Sequence, residues 1–387
     1  MEAPGVKVSA IYFDHNATTP LHPAVREAMA NCLGDRAGNP SSIHQFGRRS
    51  RTRLERARTQ VATLVGADGD ELVFTSGGSE SDHLALHGAA WIQRRRSAQR
   101  CRIVVSAVEH PAVLGAAQAL GRQGFELVLA RVHSDGSLDE QAFLGAIDDR
   151  TALVSLQLAN HELGNLYPIA PLVERAHAMG ALFHTDAVQA LGKIPIDVHA
   201  LGVDLASFSA HKIYGPQGCG ALYVKRGLQI EPLLSGGHQE RGQRAGTENV
   251  IGQAGFGQAA DRARAELEEW RAHTTELRDQ FEVGVRGVGA RINGSPTRVG
   301  NTSNVAFDGV EAELLVENLD LVGVAVSAGA ACTSGSREPS PVLLALGQSR
   351  RQAASAVRFS FGRGNTSKEV ADVLALLPSL LDRIRSA

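Results

Sequence analysis

A single lysine, Lys212, stands in SFSAHKIYGPQGCG (Ser207 to Gly220), between two short apolar runs that read as strands, Val203–Leu205 and Ala221–Val224. A lysine held between buried strands either reaches water with its amine or does chemistry with it. Ser207, Ser209 and His211 offer hydrogen-bonding groups beside it, and Gly215, Gly218 and Gly220 let the backbone approach a ligand closely. A partly desolvated amine loses its proton more readily and attacks carbonyl carbon. A surface turn with an exposed lysine fits this segment, taken alone, equally well. A second candidate is Cys332, the one thiol in SAGAACTSGSREPSP, a segment too small and polar for a core. A thiol becomes a nucleophile only as thiolate, so Cys332 would need partial exposure and an electropositive setting.

The elements that must position these residues follow from the apolar pattern. Ile11–Phe13 reads as a strand, and Asp14 to Pro20 (DHNATTP) as a polar turn. Pro23–Leu33 has helical spacing, and Gly38 to Ser42 (GNPSS) marks a loop and a helix cap. The next helix carries Leu54, Val61, Leu64 and Val65 on one side and Arg48, Arg49, Arg51, Arg53, Arg56 and Arg58 on the other. That arginine side fits a solvated face, or a docking surface for an acidic partner. Glu71–Thr75 is a strand feeding the tight loop Ser76-Gly-Gly-Ser79 and then a helix, a natural phosphate cradle. It matches neither a P-loop nor GxGxxG, so nucleotide binding is not indicated.

Strands are predicted at Arg102–Val105, Glu126–Leu129, Ala152–Leu158 and Ala181–Thr185, alternating with helices. Polar residues stand where several of these strands end: Thr75, His110, Asn160, Asp186 and Lys212. Open α/β sheets bind ligands at the carboxyl ends of their strands. Each residue alone would serve as a helix cap or loop residue; five together point to one site. From about Ala254 the pattern changes. Ala263, Leu267, Trp270, Thr274, Leu277 and Phe281 predict one long amphipathic helix leading to a smaller domain, with strands at Asn304–Phe307, Val322–Val326 and Val357–Phe361 and a closing helix at Glu369–Ile384.

Composition bounds the partners. With 43% hydrophobic and 21% charged residues, the chain falls outside the disordered class. A net charge of −2 gives no electrostatic reason for nucleic acid or an anionic membrane. No apolar run is long enough for a bilayer span, and MEAPGVKVSA lacks a signal-peptide pattern. The four cysteines, Cys32, Cys101, Cys219 and Cys332, have no CxxC spacing, so neither a metal site nor a disulfide framework is expected. A reducing cytoplasm suits them.

DHNATTP, GNPSS, FTSGGSES, VEHPAV, ANHELG, HTDAVQ, SFSAHKIYGPQG, ERGQRAGTENV, ACTSGSREPS and VRFSFGR occur in that order from about Tyr12 to Arg363. In these motifs the chain resembles the cysteine desulfurases of the NifS and IscS type, enzymes of pyridoxal-5′-phosphate fold type I. The resemblance implies an α/β large domain (15–255) with a mainly parallel seven-stranded sheet, and a smaller α+β domain made of 1–14 and 256–387 that carries the cysteine loop. It implies that Lys212 holds the cofactor as a Schiff base and moves the substrate α-proton. Asp186 would face the pyridine nitrogen, Gln189 the ring hydroxyl with Asn160 nearby, and His110 the ring face, as a catalytic residue that shuttles protons. Gly78, Ser79, Ser209 and His211 would hold the phosphate, joined by Thr247 from the other subunit of a homodimer. Asn39 and Arg358 would bind the substrate, L-cysteine, with Arg358 on its carboxylate. Cys332 would take the sulfur as a persulfide and hand it to an acceptor protein, in iron–sulfur assembly, tRNA thiolation or DNA phosphorothioation.

The chain departs from the family pattern at Ser79 (usually Thr), His83 (usually Asn) and His161 (usually Asn). Two rival readings are an aminotransferase or selenocysteine-lyase-like enzyme of the same fold, and a non-catalytic sulfur-transfer scaffold. Cys332 speaks against the aminotransferase, and Lys212 with Asp186 and His110 against the scaffold.

Overall fold

The computed structural model describes residues 10–34, 38–329 and 338–386. After β1 (Ile11–Tyr12) come the helices Pro23–Leu33 and Gln45–Val65. Strands β2 (Leu72–Thr75), β3 (Arg102–Ser106), β4 (Glu126–Ala130), β5 (Thr151–Ser155), β6 (Leu182–Asp186), β7 (Leu205–Ser209) and β8 (Gly220–Val224) then form one seven-stranded sheet in the order β2-β8-β7-β6-β5-β3-β4. β8 runs antiparallel to both neighbours, and all other pairings are parallel. The carboxyl ends of β2, β3, β5, β6 and β7 therefore share one edge.

The strands are apolar on both faces because helices cover both. Ile103, Val105, Leu153, Leu205 and Leu222 face the core built with helices Gly78–Arg96 and Pro111–Arg122. Val104, Val154, Phe183 and Phe208 face the opposite core, shared with helices Gln45–Val65 and Val250–Ala265. A third core lies around the antiparallel sheet β12-β13-β10-β9, formed by β9 (Arg291–Asn293), β10 (Thr302–Ala306), β12 (Ser327–Ala328) and β13 (Ala356–Ser360). β1 pairs in parallel with β11 (Val324–Ala325), and Phe13 packs edge-on against Phe361. The amino-terminal segment is thus fastened to this third core before it reaches the edge of the large sheet. Among the described residues, no helix is long and apolar enough to cross a membrane.

Several sequence expectations need correction. The single long helix is two, Val250–Ala265 and Leu267–Gly287, meeting at Glu266, whose carboxylate is drawn to Arg363. The strand expected to end at Leu205 starts there. Ser207 and Ser209 are strand residues, and Lys212 follows on a short 3₁₀ turn, Ala210–Lys212. The strand expected to reach Leu158 ends at Ser155, where the N–H of Gln157 turns to Glu109 instead. The helix cap is His44, beyond the GNPSS stretch.

Arg58 leaves the solvated arginine face. It is buried, and it grips the equally buried Glu240 through NH1–Oε2 at 2.6 Å and NH2–Oε1 at 2.8 Å. Glu240 also accepts the N–H of Phe74 on β2, so the pair ties the loop that leads to Arg244 and Thr247 to the sheet. Arg58→Met strands a buried carboxylate and is expected to cost about 3 kcal/mol of stability, read as a lower urea midpoint. An unchanged midpoint would show the brace to be dispensable.

Candidate active site

The site is built along the shared sheet edge. Lys212 lies just past β7, and its amine donates to the carbonyls of Asn16 at 2.5 Å and Ala17 at 2.7 Å. Two residues on, Tyr214 adopts φ 65, a conformation costing a side-chain-bearing residue about 1–2 kcal/mol. Thr19 Oγ1 accepts the Tyr214 N–H at 2.7 Å, and the Tyr214 hydroxyl accepts the Arg363 N–H at 2.7 Å. The turn carrying Lys212 is therefore held in place from both sides.

Asp186 ends β6, fully enclosed. Burial raises its carboxyl to about 6, against the opposing pull of the Val188 N–H and Lys212. Asp82, His110 and Asp186 bring ligand-capable atoms within 4.8 Å of one another. Burial and then the charge of Asp186 push Asp82 well above the usual carboxylate range, so the two carboxyls titrate as a coupled pair. Beneath them His184 lies between Ser155 Oγ (2.8 Å) and Ser207 Oγ (2.9 Å), and burial pushes it down to about 3.

At the other end, a cavity of about 400 Å³ is lined by Thr18, Gly77, Gly78, Ser79, Ser209 and His211. It opens on the amino terminus of the helix Gly78–Arg96, where N–H groups lack intrahelical partners. Ser209 Oγ is buried there without a hydrogen-bond partner among the described residues. Burial and the nearby Lys212 hold His211 down at about 4. A Cβ on Gly220 would lie 2.5 Å from the Gly77 carbonyl carbon, which explains glycine where β8 passes the loop.

Asn16 joins these parts. Its carbonyl also accepts Gln189 Nε2 at 2.9 Å, and its Oδ1 accepts Lys193 Nζ at 2.7 Å. Lys193 also donates to Gln189 Oε1 at 2.6 Å. Burial first, then the charges of Lys212 and Arg358, push the Lys193 amine well below the usual lysine range. Arg358 reaches from β13 to the His161 carbonyl (2.9 Å) and Asp14 Oδ1 (2.9 Å), while its Nε has no partner among the described residues.

His110 caps the helix Pro111–Arg122 by accepting the Ala112 N–H on Nδ1 at 3.2 Å. Burial, then Lys212 and Arg358, lower it to about 4. Asn160 pins the turn behind it, with Oδ1 accepting from Glu162 and Leu163 and Nδ2 donating to Val108.

Most of the predicted residues therefore meet at one edge. Asn39 and Thr247 are exposed, and Cys332 lies outside the described residues. Sequence reading gave no role to Asn16, Asp82, His184 or Lys193. Asp82 carried a signal: it shares a helical face with Ala85, Leu86 and Ala89, all buried.

The aminotransferase class-V family pattern covers residues 11–373. The chain belongs to the aminotransferase class-V family. A cysteine desulfurase of Gluconacetobacter diazotrophicus is 44% identical over 98% of this chain and 95% of its own. Among solved structures, a NifS-like protein aligns at TM-score 0.90 with 35% identity, covering 96% of this chain and 99% of its own. SspA in complex with cysteine aligns at TM-score 0.80 with 32% identity, covering 91% of this chain and 99% of its own.

Class-V aminotransferases use pyridoxal 5′-phosphate. The residues fit that group. Unpaired Ser209 Oγ and the helix amino terminus suit a phosphate, and buried Asp186 suits a protonated ring nitrogen.

His184 supplies a pH test of the layer under Asp186. Its folded value of about 3 lies below the unfolded value, so its contribution is present near pH 7 and lost as pH falls below about 6.5. His184→Asn is expected to destabilise the ligand-free protein near pH 7. That cost should shrink by up to about 1.4 kcal/mol per pH unit on acidification in denaturant melts. A pH-independent cost would contradict a neutral, buried His184.

Proposed function

We infer that the chain is a pyridoxal-phosphate-dependent cysteine desulfurase, which takes sulfur from L-cysteine, releases L-alanine and passes the sulfur through Cys332 to an acceptor protein. The supporting observation is the placement of Lys212 and Asp186 on one sheet edge, in a chain 44% identical to a named cysteine desulfurase. Bound cofactor supplies an electron sink for the pair left when the substrate's α C–H bond breaks.

The chain's own residues do the rest. Lys212 would hold the cofactor covalently, and its Nζ would take the substrate α-proton. The carbonyls of Asn16 and Ala17 aim that nitrogen. Asp186 would face the ring nitrogen and favour its protonated form, with the coupled carboxyl of Asp82 beside it. Gln189 is kept in one amide orientation by Lys193, leaving Nε2 as the donor for the ring hydroxyl. Ser209, His211, Gly78 and Ser79 bind the phosphate, and His110 covers the ring face. Arg358 offers its remaining donors to the substrate carboxylate, and Asn39 joins from the GNPSS loop.

Cys332 takes the sulfur as a thiolate and holds it as a persulfide. Among the other described thiols, Cys219 suits this less well, since burial pushes it up to about 12. The chain works as a homodimer, with exposed Thr247 reaching the partner's phosphate site from the loop that Arg58 and Glu240 brace. The acceptor is a protein that meets the Cys332 segment.

Two variants separate the steps. Lys212→Ala should lose the absorbance of the linked cofactor and lower turnover by about 10³-fold or more. Cys332→Ser should keep the cofactor absorbance and still respond spectrally to cysteine, yet release almost no sulfide. Retained linkage without Lys212 would overturn its role, and normal sulfide release by Cys332→Ser would move the acceptor thiol elsewhere.

A further inference from the structure

The cavity assigned above to the phosphate poses an electrostatic problem. None of the described residues lining it is a lysine or arginine, and its one acid is Glu80. His211 is neutral there near pH 7. Lys212, close enough to act on His211, is assigned to the covalent link. A phosphate ester carries nearly two negative charges at neutral pH, so an uncovered carboxylate in the wall opposes it. Glu80 nevertheless has work in the wall. It stands in the first turn of the helix Gly78–Arg96, and its Oε2 accepts the Ser76 N–H at 2.8 Å, which shapes the Ser76-Gly-Gly-Ser79 loop. Burial opposes its ionisation, but Arg244 and then Ser76 outweigh burial and hold the carboxyl below the usual range. The wall is therefore anionic unless a cation covers it.

Arg244 is that cation. Its Nε donates to Glu80 Oε1 at 2.8 Å and its Nη2 to Oε2 at 3.3 Å, a two-point grip. The two side chains are 22% and 16% exposed, so solvent screens this pair less than an ion pair on the open surface. Arg244 does not itself line the cavity. It lies 164 positions along the chain from Glu80, and the turn that presents it is unfavourable to form. Glu240 and Arg241 both adopt positive φ, 45 and 58, a conformation that residues with side chains rarely take. The Arg58–Glu240 pair and the bond from Arg241 to the Leu72 carbonyl hold that turn. Strained backbone braced in this way marks a place where position matters.

We propose that Arg244 is a positioning residue for cofactor binding: it neutralises Glu80, so that Glu80 shapes the loop without repelling the phosphate. Arg244 acts through Glu80 and makes no contact with the phosphate. This role rests on the placement of the phosphate in the cavity and goes beyond it.

The test measures how tightly the cofactor-free protein binds pyridoxal phosphate, pyridoxal (which lacks the phosphate) and inorganic phosphate, by protein fluorescence and competition. Arg244→Gln should weaken pyridoxal phosphate and inorganic phosphate by roughly 10–100-fold and leave pyridoxal within about threefold of wild type. Adding Glu80→Gln to Arg244→Gln removes the uncovered charge and should return pyridoxal phosphate to within about threefold of wild type.

An equal loss for pyridoxal phosphate and pyridoxal would make Arg244 a brace of the fold only. No loss in Arg244→Gln, or a double variant as weak as Arg244→Gln, would show that Glu80 does not oppose the phosphate. Each of these overturns the role while tight wild-type binding of pyridoxal phosphate stands. A wild-type protein that binds pyridoxal phosphate no better than pyridoxal, and no inorganic phosphate, takes the phosphate out of this cavity, and this role with it.

Discussion

The backbone carbonyl of Asn16 accepts two site donors at once, the amine of Lys212 and the amide of Gln189. Its side chain accepts Lys193 and Asn301 and donates to Thr302, and its own N–H goes to Ser360. One residue thus links the edge of the large sheet to strands β10 and β13 of the smaller one. A buried lysine amine beside a half-buried one is costly unless their protons find acceptors. The turn DHNATTP supplies those acceptors, and β1, held by β11, holds the turn.

Charge is layered around this contact. Asp186, Asp82 and Glu109 lie on the inner side, with burial raising all three carboxyls. Lys212, Lys193 and Arg358 lie on the outer side, and their mutual repulsion helps lower the amine of Lys193. Between them stand imidazoles kept neutral by burial: His110 and His161 toward the substrate space, His184 underneath. Such an arrangement fixes dipoles and charges before substrate arrives, so little reorganisation remains for the reaction itself.

How much of this was legible beforehand depends on the range of the interaction. The parallel strands were readable because runs such as Ile103–Val105 must be buried on both faces, and Asp186 and Lys212 stood out at or near the ends of such runs. The break at Glu266 was not, since helical spacing continues through it and the Arg363 that its carboxylate meets lies far along the chain. Arg58 read as a surface charge because its partner Glu240 is 182 positions away. Asn16, Lys193 and His184 carry no local pattern that separates them from ordinary turn, loop and strand residues. Their roles exist only once the two sheets meet. The role of Cys332 rests on its sequence setting, since it lies outside the described residues.

The central claim is that one particular lysine of the two that donate to Asn16, half-buried Lys212 rather than buried Lys193, carries the cofactor. Borohydride reduction of the holoenzyme, followed by peptide mass mapping, reads this directly. The pyridoxyl-phosphate mass should appear on the peptide containing Lys212 alone. The same mass on Lys193, or no modified peptide from a cofactor-bearing protein, would contradict the whole assignment of the site.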